Sequence, residues 1–480
     1  MKPVRILAAM CALCTCAVIG APASAMTPGT FGDCPEVQAS PELAASECAV
    51  LSVPLDPSDE TGEQIDLFVR RFPALAEREG EFWLLAGGPG ESGASFYGRI
   101  AAFQARFPHY DILVPDHRGT GRSSRLCEGE TIGSEAGSAL AGAEFGPCFG
   151  EIWQNAERTR QFSMTHAARD LDTLIGRLGR PGKRWIYAVS YGTGLALRFG
   201  QLHAQPVDGM ILDSLVPALD DDRNDLSHRS QTVDAVGRIV LADCAADPAC
   251  NGRFDGGVEA AYADLLEDLD AGARPGLVAV IPGGNIRNTL GTMLDVPAAR
   301  ALVPDVIAAA IDGPDNLRNL LDNQVSQAFA ATAAVTDHEG AAFSITLAGL
   351  IGVSETNRRP ELTAEEVADE EAGLLFTSPL TQLQTRTSMP AYPRDAWFDA
   401  PYEALPPVLV VHGTLDPKTT IEGAMAHLEQ IARASEVTLV RIDRAPHAAW
   451  FFAPDCLDAA MRSFVDGGTP EPVCALPSMQ

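Results

Sequence analysis

Apolar and polar positions along this chain follow two rhythms. Residues 65–72 alternate with a period of two, the mark of a half-buried strand. Residues 81–86, 110–115, 185–189 and 210–212 are short continuous apolar runs, as expected of strands covered on both faces. Between them, residues 165–178 place Ala168, Leu171, Leu174, Ile175 and Leu178 at helical spacing, with Ser163 or Thr165 as a cap. A second helix is predicted over 192–204. From about residue 217 to 403 strand-like runs are scarce, and helical segments rich in Ala, Leu, Asp and Glu dominate. Alternation then resumes with a strand at 407–411, a helix at 421–434, a strand at 437–442 and a helix at 456–465. Such alternation predicts an α/β protein whose central sheet is mostly parallel and flanked by helices. The expected division is a core in two parts, residues 26–216 and 404–480, with a helical cap inserted at 217–403. The segment to about residue 57 is read as turn-rich.

The first 25 residues stand apart. Lys2 and Arg5 precede an apolar stretch over 6–19, and Ala23-Ser24-Ala25 is a small-residue cleavage site, so a secretory signal peptide is expected. The stretch is too short to span a bilayer comfortably. A lipoprotein anchor at Cys14 or Cys16 is less favoured, because Leu13 and Thr15 precede them. The mature chain is therefore expected to be exported, to the periplasm or beyond, without inserting into a membrane. Of 11 cysteines, eight remain after the signal. Proximity suggests Cys34–Cys48, Cys127–Cys148, Cys244–Cys250 and Cys456–Cys474 as disulfides suited to an oxidising compartment. None of the eight forms a C-x-x-C pair, so neither a zinc site nor a redox motif is expected.

Charge narrows the partners. The 64 acidic and 35 basic residues give a formal charge of −29. Such a chain repels phosphate backbones, which argues against nucleic acid. Apolar residues at 46% and charged residues at 21% are ordinary for a globular protein. Oligomeric state is not set by these features.

The candidate chemistry sits where the strand through Val189 ends. Ser190, in Ala188-Val189-Ser190-Tyr191-Gly192, lies between a strand and a helix, the layout of a nucleophile elbow that lifts a serine hydroxyl above a sheet. A serine needs a base within hydrogen-bond reach, and the base needs an acid to orient it. In chain order these follow as serine, acid, histidine. Asp416 lies just past the strand at 407–411, and only His427 and His447 come later. His427 falls within a predicted helix, expected to face solvent, whereas His447 falls in a loop between the last strand and last helix. The candidate triad is Ser190, Asp416 and His447. Asp213 also satisfies the order, but a structural role in capping or turn formation is preferred for it. Backbone N–H groups of Tyr191 and of the glycine loop at Gly87-Gly88-Pro89-Gly90 are expected to form the oxyanion hole.

Four stretches together resemble one family. Leu85-Ala86-Gly87-Gly88-Pro89-Gly90, Asp116-His117-Arg118-Gly119-Thr120-Gly121-Arg122-Ser123-Ser124, Val189-Ser190-Tyr191-Gly192-Thr193 and His412-Gly413-Thr414-Leu415-Asp416-Pro417 look like the prolyl iminopeptidase and tripeptidyl aminopeptidase branch of α/β-hydrolase serine peptidases. The likeness runs from about residue 50 to the C-terminus and is weakest in the cap. It implies the α/β-hydrolase fold and an exopeptidase acting on short peptides with a free N-terminus, with no cofactor. It carries over Ser190 as nucleophile, Asp416 as acid, His447 as base, and Gly88 and Tyr191 as oxyanion donors. It gives Asp116 and Arg118 a bracing role. Glu355 matches the family's acidic position in the cap, expected to bind the substrate's α-ammonium. Ala188, His117 and Ala86 depart from the family's common Gly, Gln and His. A carboxylesterase using the same triad is the alternative activity, because a fold does not fix a substrate.

Overall fold

The structure, a computed structural model, describes residues 29–34, 43–131, 145–336, 343–386 and 388–476. The expected signal peptide lies outside the described residues. A ten-stranded sheet runs in the order β1-β2-β3-β5-β4-β6-β7-β8-β9-β10. Its strands are β1 (Gly32–Asp33), β2 (Glu47–Pro54), β3 (Gln64–Phe72), β4 (Gly80–Leu85), β5 (Tyr110–Pro115), β6 (Lys183–Val189), β7 (Gly209–Asp213), β8 (Val408–Gly413), β9 (Val437–Asp443) and β10 (Val473–Ala475). From β5 through β10 every pairing is parallel, while β1, β2 and β3 pair antiparallel at one edge.

The apolar runs explain this arrangement. Every residue of β4, β5, β7 and β8 is buried, as strands covered by helices on both faces must be. Two apolar clusters fill the two faces. One gathers Leu171, Leu174 and Leu195 against Leu85 and Leu212. The other packs Phe82, Phe103, Tyr187 and Trp450, whose rings meet edge-on or tilted.

Among the helices around the sheet are α1 (Met164–Leu178), α2 (Tyr191–Gln201), α3 (Arg229–Ala246), α4 (Val258–Asp270), α5 (Val303–Asp312), α6 (Ile345–Glu355), α7 (Ile421–Ile431), α8 (Ala449–Phe452) and α9 (Pro454–Val465). Ser163 caps α1, its hydroxyl accepting the His166 N–H at 3.3 Å. Between β7 and β8 the described residues form helices and loops and no strand. Those helices share an apolar cluster of their own, including Val240, Tyr262, Leu290, Ile307 and Phe376.

Two sequence expectations fail here. The segment before residue 57 holds β2, eight residues paired along their whole length with β3. Its Pro54 and polar Glu47 and Ser52 hid the alternation. His427 does not face solvent: it is buried, its Nδ1 at 2.8 Å from the Val216 carbonyl and its Nε2 at 2.8 Å from the Tyr402 hydroxyl. Four disulfides join Cys34–Cys48, Cys127–Cys148, Cys244–Cys250 and Cys456–Cys474. Among the described residues no helix is long and apolar enough to cross a membrane.

Candidate active site

Ser190 ends β6 and caps α2 with φ 53° and ψ −126°. A non-glycine residue with positive φ is strained, and the strain persists only where its surroundings impose it. They do so here by close packing. A Cβ on Gly192 would lie 2.6 Å from the carbonyl oxygens of Leu85 and Ala86, so only glycine lets α2 start this close to β4. Ala188 is fully buried in β6, and its methyl group is accommodated one position before the turn. The Ser190 N–H donates to the Asp213 carbonyl at 2.9 Å. Of the first N–H groups of α2, that of Thr193 donates to the Ser190 carbonyl at 2.8 Å, and that of Tyr191 has no acceptor within the helix.

Asp416 and His447 meet, although 31 positions separate them. His447 Nδ1 lies 2.7 Å from Asp416 Oδ2. The acid is fixed from behind. Its Oδ1 accepts the N–H groups of Lys418 and Thr419 at 2.8 and 2.9 Å, and its Oδ2 also accepts the Thr419 hydroxyl at 2.7 Å. Burial by itself would push the Asp416 carboxyl up. The His447 imidazole and the hydrogen bonds outweigh it and hold the group far below the usual carboxylate range. An acceptor-only Asp416 Oδ2 places the His447 proton on Nδ1 and leaves Nε2 as the basic nitrogen. Ser190 Oγ has no hydrogen bond to His447 among the described residues. Such bonds are often long without substrate and tighten when it binds.

Asp213 and Ser214, at the end of β7, align these parts. The Asp213 carboxylate is fully buried and accepts four bonds: from the Tyr187 hydroxyl at 2.7 Å, the Ser214 hydroxyl at 3.1 Å, and the N–H groups of Ala449 and Trp450 at 2.9 and 2.8 Å. Ser214, at φ 56°, takes the Ala448 N–H at 2.7 Å. The end of β7 therefore pins the elbow serine by its backbone and the three residues after His447 by side chains. Asp213 spends its carboxylate on structure, in line with its expected role. The position of an Asp-Ser pair at a strand end was the available signal.

The glycine loop is held from two directions. Asp116, buried, accepts the N–H groups of Gly93 and Arg122, both at 2.8 Å. A Cβ on Gly121 would fall 2.1 Å from its carboxylate, so that glycine is obligatory. Burial pushes the Asp116 carboxyl up to about 6. Arg118, fully buried, grips Asp170 of α1 with two bonds of 2.6 and 2.7 Å and the carbonyls of Leu55 and Gln161 at 2.8 and 2.7 Å. From the segment between β7 and β8, the Ser344 N–H donates to the Gly90 carbonyl at 2.8 Å. Buried Glu130 accepts the hydroxyls of Ser344 and Thr346 at 2.7 and 2.6 Å, which fixes the start of α6 over this loop.

Glu355 stands at the far end of α6. It is buried, its Oε1 accepts the Tyr392 hydroxyl at 2.6 Å, and its Oε2 is without a partner among the described residues. Burial raises its pKa against the opposing hydrogen bond of Tyr392 and the charge of Arg198. It lines a small cavity of about 70 Å³ together with Tyr191, Gly194, Arg198 and Tyr402. No cluster of three or more His, Cys, Asp or Glu among the described residues could hold a metal ion.

A parallel sheet with an elbow serine at one strand end and an Asp-paired imidazole at two others defines an α/β-hydrolase. Residues 82–250 match the family model of the α/β hydrolase fold, and residues 381–474 match that of TAP-like proteins. The chain belongs to the α/β-hydrolase family, in the TAP-like branch to which the sequence motifs pointed. It is similar to the serine protease Hip1 of Mycobacterium tuberculosis, 24% identical over 459 residues covering 88% of this chain and 86% of that protein. It is also similar to a tripeptidyl aminopeptidase of Streptomyces coelicolor, 29% identical over 193 residues, 35% of each chain. Carboxylesterase B of M. tuberculosis matches at 32% over 115 residues, 22% of each chain.

Proposed function

We propose that this protein is an exported serine exopeptidase that shortens small peptides from a free N-terminus. The observation that carries the reading is the 2.7 Å contact between His447 and a buried, fully hydrogen-bonded Asp416, set beside a strained serine. In the proposed reaction His447 Nε2 takes the Ser190 hydroxyl proton as Oγ bonds to the scissile carbonyl carbon. The carbonyl oxygen becomes an oxyanion held by the N–H groups of Tyr191 and Gly88. As the intermediate collapses, the C–N bond breaks and His447 returns the proton to the leaving amine. Water, deprotonated by the same imidazole, then releases the acyl group and restores Ser190. Asp416 holds the required tautomer and offsets the charge that His447 acquires. Similarity to proteins named as a serine protease and a tripeptidyl aminopeptidase supports a peptide substrate. Four disulfides and the signal-like first 25 residues support export. In this proposal Glu355 receives the α-ammonium of a peptide extended along α6.

The test compares aminoacyl and tripeptidyl 4-nitroanilides, with free and acetylated N-termini, against 4-nitrophenyl butyrate. Turnover of anilides that requires a free amine is expected. Turnover of the ester alone would replace the peptidase reading with a carboxylesterase. Ser190→Ala is expected to lower every activity by about 10³-fold or more with the fold retained.

A further inference from the structure

The glycine loop places a second carboxylate beside the nucleophile, one that neither the motifs nor the relatives assign. Glu91 follows Gly90 directly. The position that a Cβ on Gly87 would occupy lies 3.1 Å from Ser190 Cβ and 3.3 Å from Glu91 Oε2. The carboxylate and the elbow serine therefore both flank the space that a side chain at Gly87 would fill. Part of Glu91 remains accessible; burial raises its pKa, opposed by Lys418, His447 and the Gly87 backbone. The charged groups that reach it are Lys418 and His447, both cationic when protonated. Lys418 is already paired with Asp295 of the cap at 3.3 Å. Glu91 thus has no close salt-bridge partner of its own among the described residues and retains acceptor capacity.

We propose that Glu91 is the specificity-determining acceptor for the α-ammonium of a substrate that loses a single N-terminal residue. This deepens the exopeptidase reading and rests on it. Within one residue the nitrogen and the carbonyl carbon are about 2.5 Å apart. An ammonium belonging to the residue under attack must therefore lie immediately beside Ser190, where Glu91 is. Two further residues would move it about 7 Å away. Glu355 sits at the other end of α6, whose 11 residues extend about 16 Å from its start above Gly90. The two carboxylates stand at opposite ends of α6, Glu91 beside its start and Glu355 in the cavity that Tyr191 also lines. A charged hydrogen bond of this kind contributes a factor of about 10 to 100 in binding.

The experiment uses the full chain and its Glu91→Gln, Glu91→Asp and Glu355→Gln variants. For each, kcat and KM are measured on alanine 4-nitroanilide, a tripeptidyl 4-nitroanilide and 4-nitrophenyl butyrate, with inhibition by alaninamide and N-acetylalaninamide. We expect Glu91→Gln to lower the aminoacyl-to-ester ratio of kcat/KM by about 10- to 100-fold, mainly through KM. Alaninamide should lose its advantage over its acetylated form by the same factor, and Glu91→Asp should restore part of it. An unchanged ratio, or equal losses on ester and anilide, would overturn the assignment while leaving the exopeptidase reading intact. Dependence of the free-amine preference on Glu355 alone would also overturn it. Wild-type protein with no preference for a free amine would overturn both.

Discussion

Asp213→Asn tests how the end of β7 positions His447. Asp213 Oδ1 takes the Ala449 N–H and the Ser214 hydroxyl, while Oδ2 takes the Trp450 N–H and the Tyr187 hydroxyl. An amide of the same shape has only one acceptor oxygen. Whichever way it turns, one backbone N–H just after His447 meets an NH₂ group instead of an oxygen. The hydroxyls can rotate to accept from that NH₂, but the N–H cannot. Leaving one buried N–H unpaired costs about 1–3 kcal/mol. Burial raises the pKa of Asp213, so the neutral amide recovers some desolvation and keeps the cost within that range. The loss falls on Ala449 or Trp450, within three residues of the imidazole, so kcat is expected to fall by up to about 10²-fold if His447 shifts by 1 Å. Tyr187→Phe is the control, since it removes a hydroxyl and leaves both N–H bonds. It should cost about 0.5–1.5 kcal/mol and change kcat little. Urea unfolding gives the stability term and anilide hydrolysis gives kcat. An Asp213→Asn protein with wild-type midpoint and wild-type kcat would refute the reasoning.

Three further outcomes follow from the same geometry. In Asp416→Asn the amide oxygen stays on the two N–H groups of Lys418 and Thr419, so its NH₂ faces His447 Nδ1 and forces the proton onto Nε2. A fall in kcat of about 10⁴-fold is expected, read as turnover near pH 8. Asp116 has a folded-state pKa raised to about 6 against about 3.9 unfolded. Its contribution to stability is present below pH 4 and is lost as pH rises through 6, an amount on the order of 3 kcal/mol. Asp116→Asn should flatten the wild-type change in urea midpoint between pH 4 and 7, and an unaltered slope would contradict the assignment. Gly192→Ala drives a methyl group to 2.6 Å from two carbonyl oxygens. A loss of about 1–3 kcal/mol is expected, with slower labelling of Ser190 by a fluorophosphonate in the folded protein.

The parallel strands and the helices that cover them were readable along the chain because their patterns are local. The run 110–115 corresponds to β5, and the apolar run through Val189 to β6. The helical face of 165–178 is α1, started by Ser163, one of the two expected caps. Strand β2 escaped because an edge-side strand carries polar positions that resemble a turn. Each of the four disulfides joins cysteines no more than 21 positions apart, and so proximity in the chain was enough to pair them.

The site divides along the same line. Order and strand-end position in the sequence singled out Ser190, Asp416 and His447, because an elbow and the loops after strands leave marks in the chain. That Asp213 and Ser214 pin the residues after His447, that Glu130 latches α6 over the glycine loop, and that Glu91 and Ser190 flank Gly87 were decided only in three dimensions. Each of these contacts joins segments distant in the chain or depends on the direction of a single side chain. Hydrophobic period encodes which face of an element is buried. It does not encode which polar group a neighbouring loop will bring to that element's end, and there the folded sheet alone supplied the partners.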